Sequence, residues 1–174
     1  LWAQSLANAE RWEEAIAVLA RVPEESAFYA TSRGQIAWAL QRSGRNQSAL
    51  AVAAEALQHA PDRGLKIQVA ELYRTIGRQA EADALLSQTI EEDTVRGRED
   101  WRLFYARGAS REAMGDWQGA EQDLLHALAL QPDDASLLNY LGYSYVDRGE
   151  NLDHAMTMIQ RAAEQAPEAG HIID

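Results

Sequence analysis

The chain has 174 residues, of which 47% are hydrophobic, 25% charged and 7% aromatic, so a disordered tail is excluded and one folded domain is the default expectation. Its 27 acidic and 16 basic side chains leave a formal charge of −11, the wrong sign for counterion-release binding to nucleic acid or attraction to an anionic membrane surface. No cysteine is present, which excludes a disulfide framework, a thiolate metal site and a cysteine nucleophile, yet fits reducing and oxidising compartments alike. Localisation stays open, and no apolar run approaches the roughly 18 residues of a membrane span.

The chain is organised by a repeat. Counted from Gly44, Gly77, Gly115 and Gly149, the residues seven places earlier are Ala37, Ala70, Gly108 and Gly142, all tiny. Ala49, Ala82 and Ala120 stand five places after the first three glycines, and Ala155 six after the fourth. Behind these alanines come Ala53, Leu86, Leu124 and Ile159, then Ala56, Thr89, Ala127 and Ala162, then Pro61, Thr94, Pro132 and Pro167. Small and apolar residues at intervals of three or four share one helical face. Each unit therefore reads as a helix, a tight turn at the glycine, and a second helix stopped by proline. Gly108 facing Ala120, and Gly142 facing Ala155, are expected to let antiparallel helix axes approach closely.

In chain order, residues 1–29 are a degenerate copy, in which Trp12 precedes Ala15 as Trp117 precedes Ala120, and Pro23 stops the helix early. Full units are expected over 30–62, 63–100, 101–134 and 135–169. Residues 170–174 would start another, with an apolar edge at Ile172 and Ile173 that a missing helix or a second copy would cover. The chain opens at Leu1 without methionine and stops as this pattern begins, so a piece of a longer protein is expected.

The stretch from Gly115-Asp116-Trp117-Gln118-Gly119-Ala120 to Ala127-Leu128-Ala129-Leu130-Gln131-Pro132 resembles the tetratricopeptide repeat, as do Leu141-Gly142-Tyr143 and the positions Ala155, Ile159, Ala162 and Pro167. The resemblance covers nearly the whole chain. It implies an all-α fold, a right-handed superhelical array of antiparallel helix-turn-helix units, with the first helices lining a concave surface. Two departures stand out: Arg111 replaces the tyrosine seen at Tyr73 and Tyr145, and extra residues separate Thr94 from Trp101. Asn139-Tyr140-Leu141-Gly142-Tyr143 also resembles repeat proteins of Gram-negative bacteria.

Signs of catalysis are sparse. His59, His126, His154 and His171 are isolated, and none forms the i,i+4 pair of a helical zinc site. The acidic runs Glu13-Glu14 and Glu91-Glu92-Asp93 point in different directions on a helix and read as solvated faces. No phosphate-cradling or nucleophile-elbow string is present and Lys66 is the only lysine, so no cofactor is expected. Asn46-Gln47-Ser48 reads as a helix cap rather than a glycosylation acceptor. Trp12, Trp117 and Trp101 read as packing residues, and Trp2 stays unassigned.

Trp38 differs, because it lies two places past the core position Ile36 and is rotated from it by about 200° on a helix of 3.6 residues per turn. It belongs with the residues that the resemblance places on the concave face of first helices. These are Trp38, Gln41, Arg42, Ile67, Glu71, Arg74, Arg102, Tyr105, Glu112, Asn139, Tyr143 and Asp147. Aromatic anchors mixed with arginine are typical of binding hot spots. The positions that hold a terminal-carboxylate clamp in some members of the family carry Gly34, Ile67, Tyr105, Trp38, Glu71 and Ala109 here, so that clamp is absent. The expected function is a non-enzymatic scaffold for a protein or peptide segment, without nucleic acid or membrane insertion. The alternatives are the regulatory or substrate-presenting arm of a larger enzyme, or a self-associating structural module.

Overall fold

Backbone chemistry at the repeat glycines sets where each first helix stops. Gly44, Gly77, Gly115 and Gly149 have φ of 81°, 80°, 83° and 69°, a left-handed conformation that glycine adopts without a side-chain clash. The residue after each glycine then reaches back to the helix: Arg45 N–H donates to Leu40 O at 2.8 Å, Arg78 to Tyr73 at 2.7 Å, Asp116 to Arg111 at 2.9 Å and Glu150 to Tyr145 at 3.0 Å. These bonds satisfy carbonyls that a helix end leaves open, and reverse the chain within two residues.

The structure, a computed structural model, describes residues 11–59 and 61–165. The expectations placed on Trp2, on His171 and on the edge at Ile172 and Ile173 lie outside the described residues. Within them the chain is all α: α1 Trp12–Leu19, α2 Tyr29–Arg42, α3 Asn46–Gln58, α4 Arg63–Thr75, α5 Gln79–Val95, α6 Trp101–Ala113, α7 Trp117–Leu130, α8 Ala135–Arg148 and α9 Leu152–Gln165. It divides into two compact units, Leu1–Thr89 and Ile90–Asp174.

In the first unit α2 pairs with α3, and α1 and α4 also pack on α2. Their core is Ile36, Ala37, Leu40, Ala49, Ala53, Ala56, Leu65, Val69 and Leu72, with Ile16, Leu19 and Leu85 against it. In the second unit α6 pairs with α7 and α8 with α9. Here Leu124, Leu138, Leu141, Tyr145, Ala155, Met158 and Ala162 form a core of their own.

The expected close crossings are present. A Cβ on Gly108 would stand 3.2 Å from Ala120 O and 3.0 Å from Leu124 Cγ, and one on Gly142 would stand 3.2 Å from Ala155 O and 2.8 Å from Ile159 Cγ1. Three elements end or begin otherwise than the sequence suggests. α1 stops at Leu19, before Pro23, because Ala20 to Val22 turn tightly with N–H donation from Arg21 to Val18 O and from Val22 to Leu19 O. α5 runs to Val95 because Thr94 stands where the other units have proline, and it closes at Gly97, φ 65°, with Arg98 N–H on Asp93 O at 2.9 Å. The cap expected of Asn46 is not made: Arg45 is the N-cap residue of α3 and no side chain bonds the open N–H groups. Aspartates perform that task elsewhere, Asp62 on Leu65 N–H at 2.7 Å, Asp100 on Arg102 at 2.9 Å, Asp116 on Gly119 at 3.1 Å and Asp134 on Leu137 at 3.0 Å.

Arg111, the departure from the tyrosine pattern, has a structural reason. Asp123 on α7 is almost fully buried and accepts two hydrogen bonds from Arg107, at 2.8 and 2.7 Å, and one from Arg111 at 2.9 Å. In the next helix pair Tyr145 stands at the equivalent place, its hydroxyl donating to Glu121 at 2.6 Å. Burial, reinforced by Glu121, pushes the Tyr145 hydroxyl well above the usual tyrosine range.

Three outcomes follow from this packing. Gly142→Leu should lower stability by about 1–3 kcal/mol or more, because the new side chain meets Ile159 and the Ala155 carbonyl; urea unfolding checks it. Asp123→Ala should cost about 3–5 kcal/mol in the same measurement, since it removes the buried carboxylate that the Arg107 and Arg111 guanidinium groups share. A raised tyrosine pKa in the folded state contributes stability that is complete below the unfolded value of about 10 and is lost as pH rises above it. Tyr145→Phe should therefore flatten the alkaline loss of stability in melts run from pH about 8 to pH about 11.

Candidate functional site

The first helices of the first unit carry matching stripes. Counted back from Gly44 and Gly77, the positions nine, six, five and two places earlier are Gln35 and Gln68, Trp38 and Glu71, Ala39 and Leu72, Arg42 and Thr75. These offsets run i, i+3, i+4, i+7, one face of an α-helix. α2 and α4 approach closely at Gly34, where a Cβ would lie 2.7 Å from Leu65 Cδ1 and 2.5 Å from Gln68 Oε1, so the two stripes stand side by side.

Together they line a groove of about 670 Å3, completed by Ala15 and Leu19 of α1 and by Gln41, Gly64 and Ile67. Its floor is apolar, from Leu19, Ala39, Ile67 and Leu72, and the polar groups around it are three glutamine amides, Thr75, Arg42 and Glu71. An uncharged amide offers both donors and acceptors, so Gln35, Gln41 and Gln68 are suited to a main chain, whose N–H and C=O groups recur whatever the sequence. Trp38 is 38% exposed, and its ring meets Trp12 edge to face at 5.3 Å between centroids. The Arg42 guanidinium lies 6.0 Å from the Trp12 ring. At the other side Glu71 is held by Arg74 at 2.7 Å.

The structure thus brings together Trp38, Gln41, Arg42, Ile67 and Glu71 of the residues singled out from the sequence, with Arg74 bound to Glu71 but outside the groove lining. Gln35 and Gln68 were missed; they share one offset from the glycines, and that recurrence is the signal that finds them. Trp12, assigned to packing, does pack, and its partner is the groove residue Trp38.

The second unit holds the other six. Tyr105 of α6 meets Tyr140 of α8 edge to face at 5.2 Å, and the Tyr140 hydroxyl donates to Glu112 at 2.6 Å. Asn139 and Tyr143 are half-buried on α8, and Asn139 Oδ1 is shielded from water without a hydrogen-bond partner among the described residues. Arg102 lies at the start of α6, over the Trp101 ring at 5.1 Å and 3.6 Å from Asp100. Asp147 is exposed at the end of α8. Trp117 packs on Tyr145 at 5.6 Å, under the Arg148 guanidinium at 4.4 Å.

Among the described residues no group of three or more His, Asp or Glu side chains is placed to hold a metal ion. His59 faces Glu24 at 3.7 Å and His126 faces Glu99 at 3.4 Å, each at a helix end or flank and apart from the groove. No helix among the described residues is long and apolar enough to cross a membrane.

No family model matches the chain. It is 29% identical over 135 residues, 78% of its length, to the TPR repeat-containing protein PA4667 of Pseudomonas aeruginosa, and spans 22% of that protein. The solved structure of MamA from Desulfovibrio magneticus RS-1 superposes with a TM-score of 0.76 at 17% identity, covering 97% of this chain and 93% of that one. YrrB, described as a TPR protein with an unusual peptide-binding site, superposes with a TM-score of 0.68 at 17% identity, covering 98% of this chain and 86% of that one. The chain spans 22% of the length of the curated relatives it matches. With four glycine-centred helix pairs, small residues at their crossings and these likenesses, the chain has the all-α helical-repeat fold of tetratricopeptide-repeat proteins.

Proposed function

We propose that the chain is a non-enzymatic scaffold that binds an extended segment of a partner protein along α2 and α4. One observation carries the reading: the groove of about 670 Å3 combines an apolar floor, a half-exposed tryptophan and three amides on rigid helices. An extended strand laid in it would bury side chains against Leu19, Ile67, Leu72 and Trp38, and exchange main-chain hydrogen bonds with Gln35, Gln41 and Gln68. The helices hold these groups in place before the partner arrives, so little ordering entropy is lost on their side of the interface. YrrB, whose description names a peptide-binding site, supports the reading by analogy of fold.

Residues Arg102, Tyr105, Glu112, Asn139, Tyr143 and Asp147 of the second unit form part of the same proposal as a second contact surface. Asn139 Oδ1, shielded and unpartnered among the described residues, is suited to accept from a main-chain N–H.

The test is selection of binders from a displayed library of random twelve-residue peptides, followed by titration of the selected peptide against the wild type and a Trp38→Ala variant with an unchanged circular-dichroism melt. The expected result is a selected peptide whose affinity falls at least about tenfold in the variant, as for a central aromatic contact. Selection of nothing, or equal affinity for both proteins, would refute the proposal.

A further inference from the structure

The charges around the groove are not balanced at both ends. Among the described residues, each carboxylate of α1 and α4 already has an arginine: Glu13 is held by Arg45 at 2.7 Å, Glu14 by Arg11 at 2.6 Å, and Glu71 by Arg74 at 2.7 Å. Arg42 is the exception. It is exposed at the end of α2, lines the groove, and has no carboxylate partner among the described residues. Its one described interaction is with the Trp12 ring, whose edge-to-face partner is Trp38.

The tryptophan pair and the guanidinium therefore form one corner: an apolar surface for a side chain, with a cation beside it whose fork of N–H donors matches a carboxylate. The Trp12 ring, 6.0 Å from the guanidinium, also gives that cation a π-electron-rich neighbour on the side of the tryptophan pair. The chain as a whole is strongly acidic, so a groove cation without a carboxylate partner among the described residues sets a local preference opposite to the long-range one.

From this we infer that the groove selects a peptide segment in which an apolar or aromatic side chain, seated on Trp38, is flanked by an aspartate or glutamate that pairs with Arg42. The inference rests on the peptide-binding reading above and specifies the partner's chemistry. Steering by the net charge would instead favour basic segments, and the two preferences are separable because the first resides in one side chain.

The experiment uses the full chain and three fluorescein-labelled twelve-residue peptides, capped at both ends, with a central leucine-phenylalanine pair. They differ only in having aspartate, serine or lysine on both sides of that pair. Fluorescence polarisation at about 50 mM and about 300 mM salt reads affinity and its screening. The aspartate peptide is expected to bind about three- to tenfold tighter than the serine peptide at low salt, with the gap narrowing at high salt. Arg42→Gln should remove that difference, so that the aspartate and serine peptides bind alike, and Arg42→Glu should reverse it in favour of lysine.

Equal binding of the three peptides to the wild type, or an aspartate preference that survives Arg42→Gln, would overturn the inference and leave the peptide-binding reading standing. Trp38-independent binding, or no binding of any of the three and none of a library-selected peptide, would overturn both. Because Arg42 is exposed and outside the core, its variants are expected to fold, and an unchanged melt verifies it.

Discussion

Everything in this molecule depends on how closely two antiparallel helices can approach at the middle of each pair. At Gly108 and Gly142 the opposing main chain lies where a side chain would otherwise be, and a single Cβ would come within 3.2 Å of a backbone carbonyl. Such an approach removes water from the seam and lets Leu124, Leu138, Leu141 and Met158 pack into one core. Alanine supplies the same small volume in the first unit, where Ala37, Ala49, Ala53 and Ala56 are essentially inaccessible to water. The larger apolar side chains then have only one direction in which to pack, toward the adjacent pair.

That arrangement explains why so much of the fold can be read from the chain. A helix pair closed by glycine needs small residues at fixed distances on either side, and a needed residue that recurs in phase leaves a visible trace. The turns at Gly44, Gly77, Gly115 and Gly149 and the crossings at Gly108 and Gly142 are legible for this reason. Less legible are features that occur once. The bond of Asp123 to Arg107 and Arg111 joins residues 16 and 12 positions apart, and Arg111 stands where Tyr73 and Tyr145 stand in neighbouring units, so periodicity gives no hint of it. The end of α5 is similar, since a glycine three places beyond Thr94 replaces the proline stop and the phase of the repeat shifts there.

The candidate groove was legible in part. Trp38, Arg42 and Glu71 stand out because their residue types are unusual at their offsets, and they do face the same space. Gln35 and Gln68 are common residues for a helix surface, and composition alone does not distinguish an amide facing solvent from one facing a groove. Trp12 shows the reverse limit: a large aromatic in a degenerate unit reads as core, while its edge in fact supports the one exposed tryptophan of α2. Counterion relations are mixed. The pairs Arg11–Glu14 and Glu71–Arg74 are three residues apart and can be read from spacing, whereas Glu13 meeting Arg45 and Arg42 lying near the Trp12 indole depend on side-chain reach between helices, which spacing does not encode.

The groove stripe and the crossing positions occupy different faces of the same helix: Gln35, Trp38, Ala39 and Arg42 on one side of α2, Ala37 and Leu40 on the other. Groove and framework are thus written in nearly separate alphabets along α2, whereas on α4 Leu72 belongs to both. The lettering at Gln35, Trp38 and Arg42 can change while every residue that fixes the helix crossing stays as it is. Grafting foreign side chains at those three positions would resurface the groove without requiring a new core.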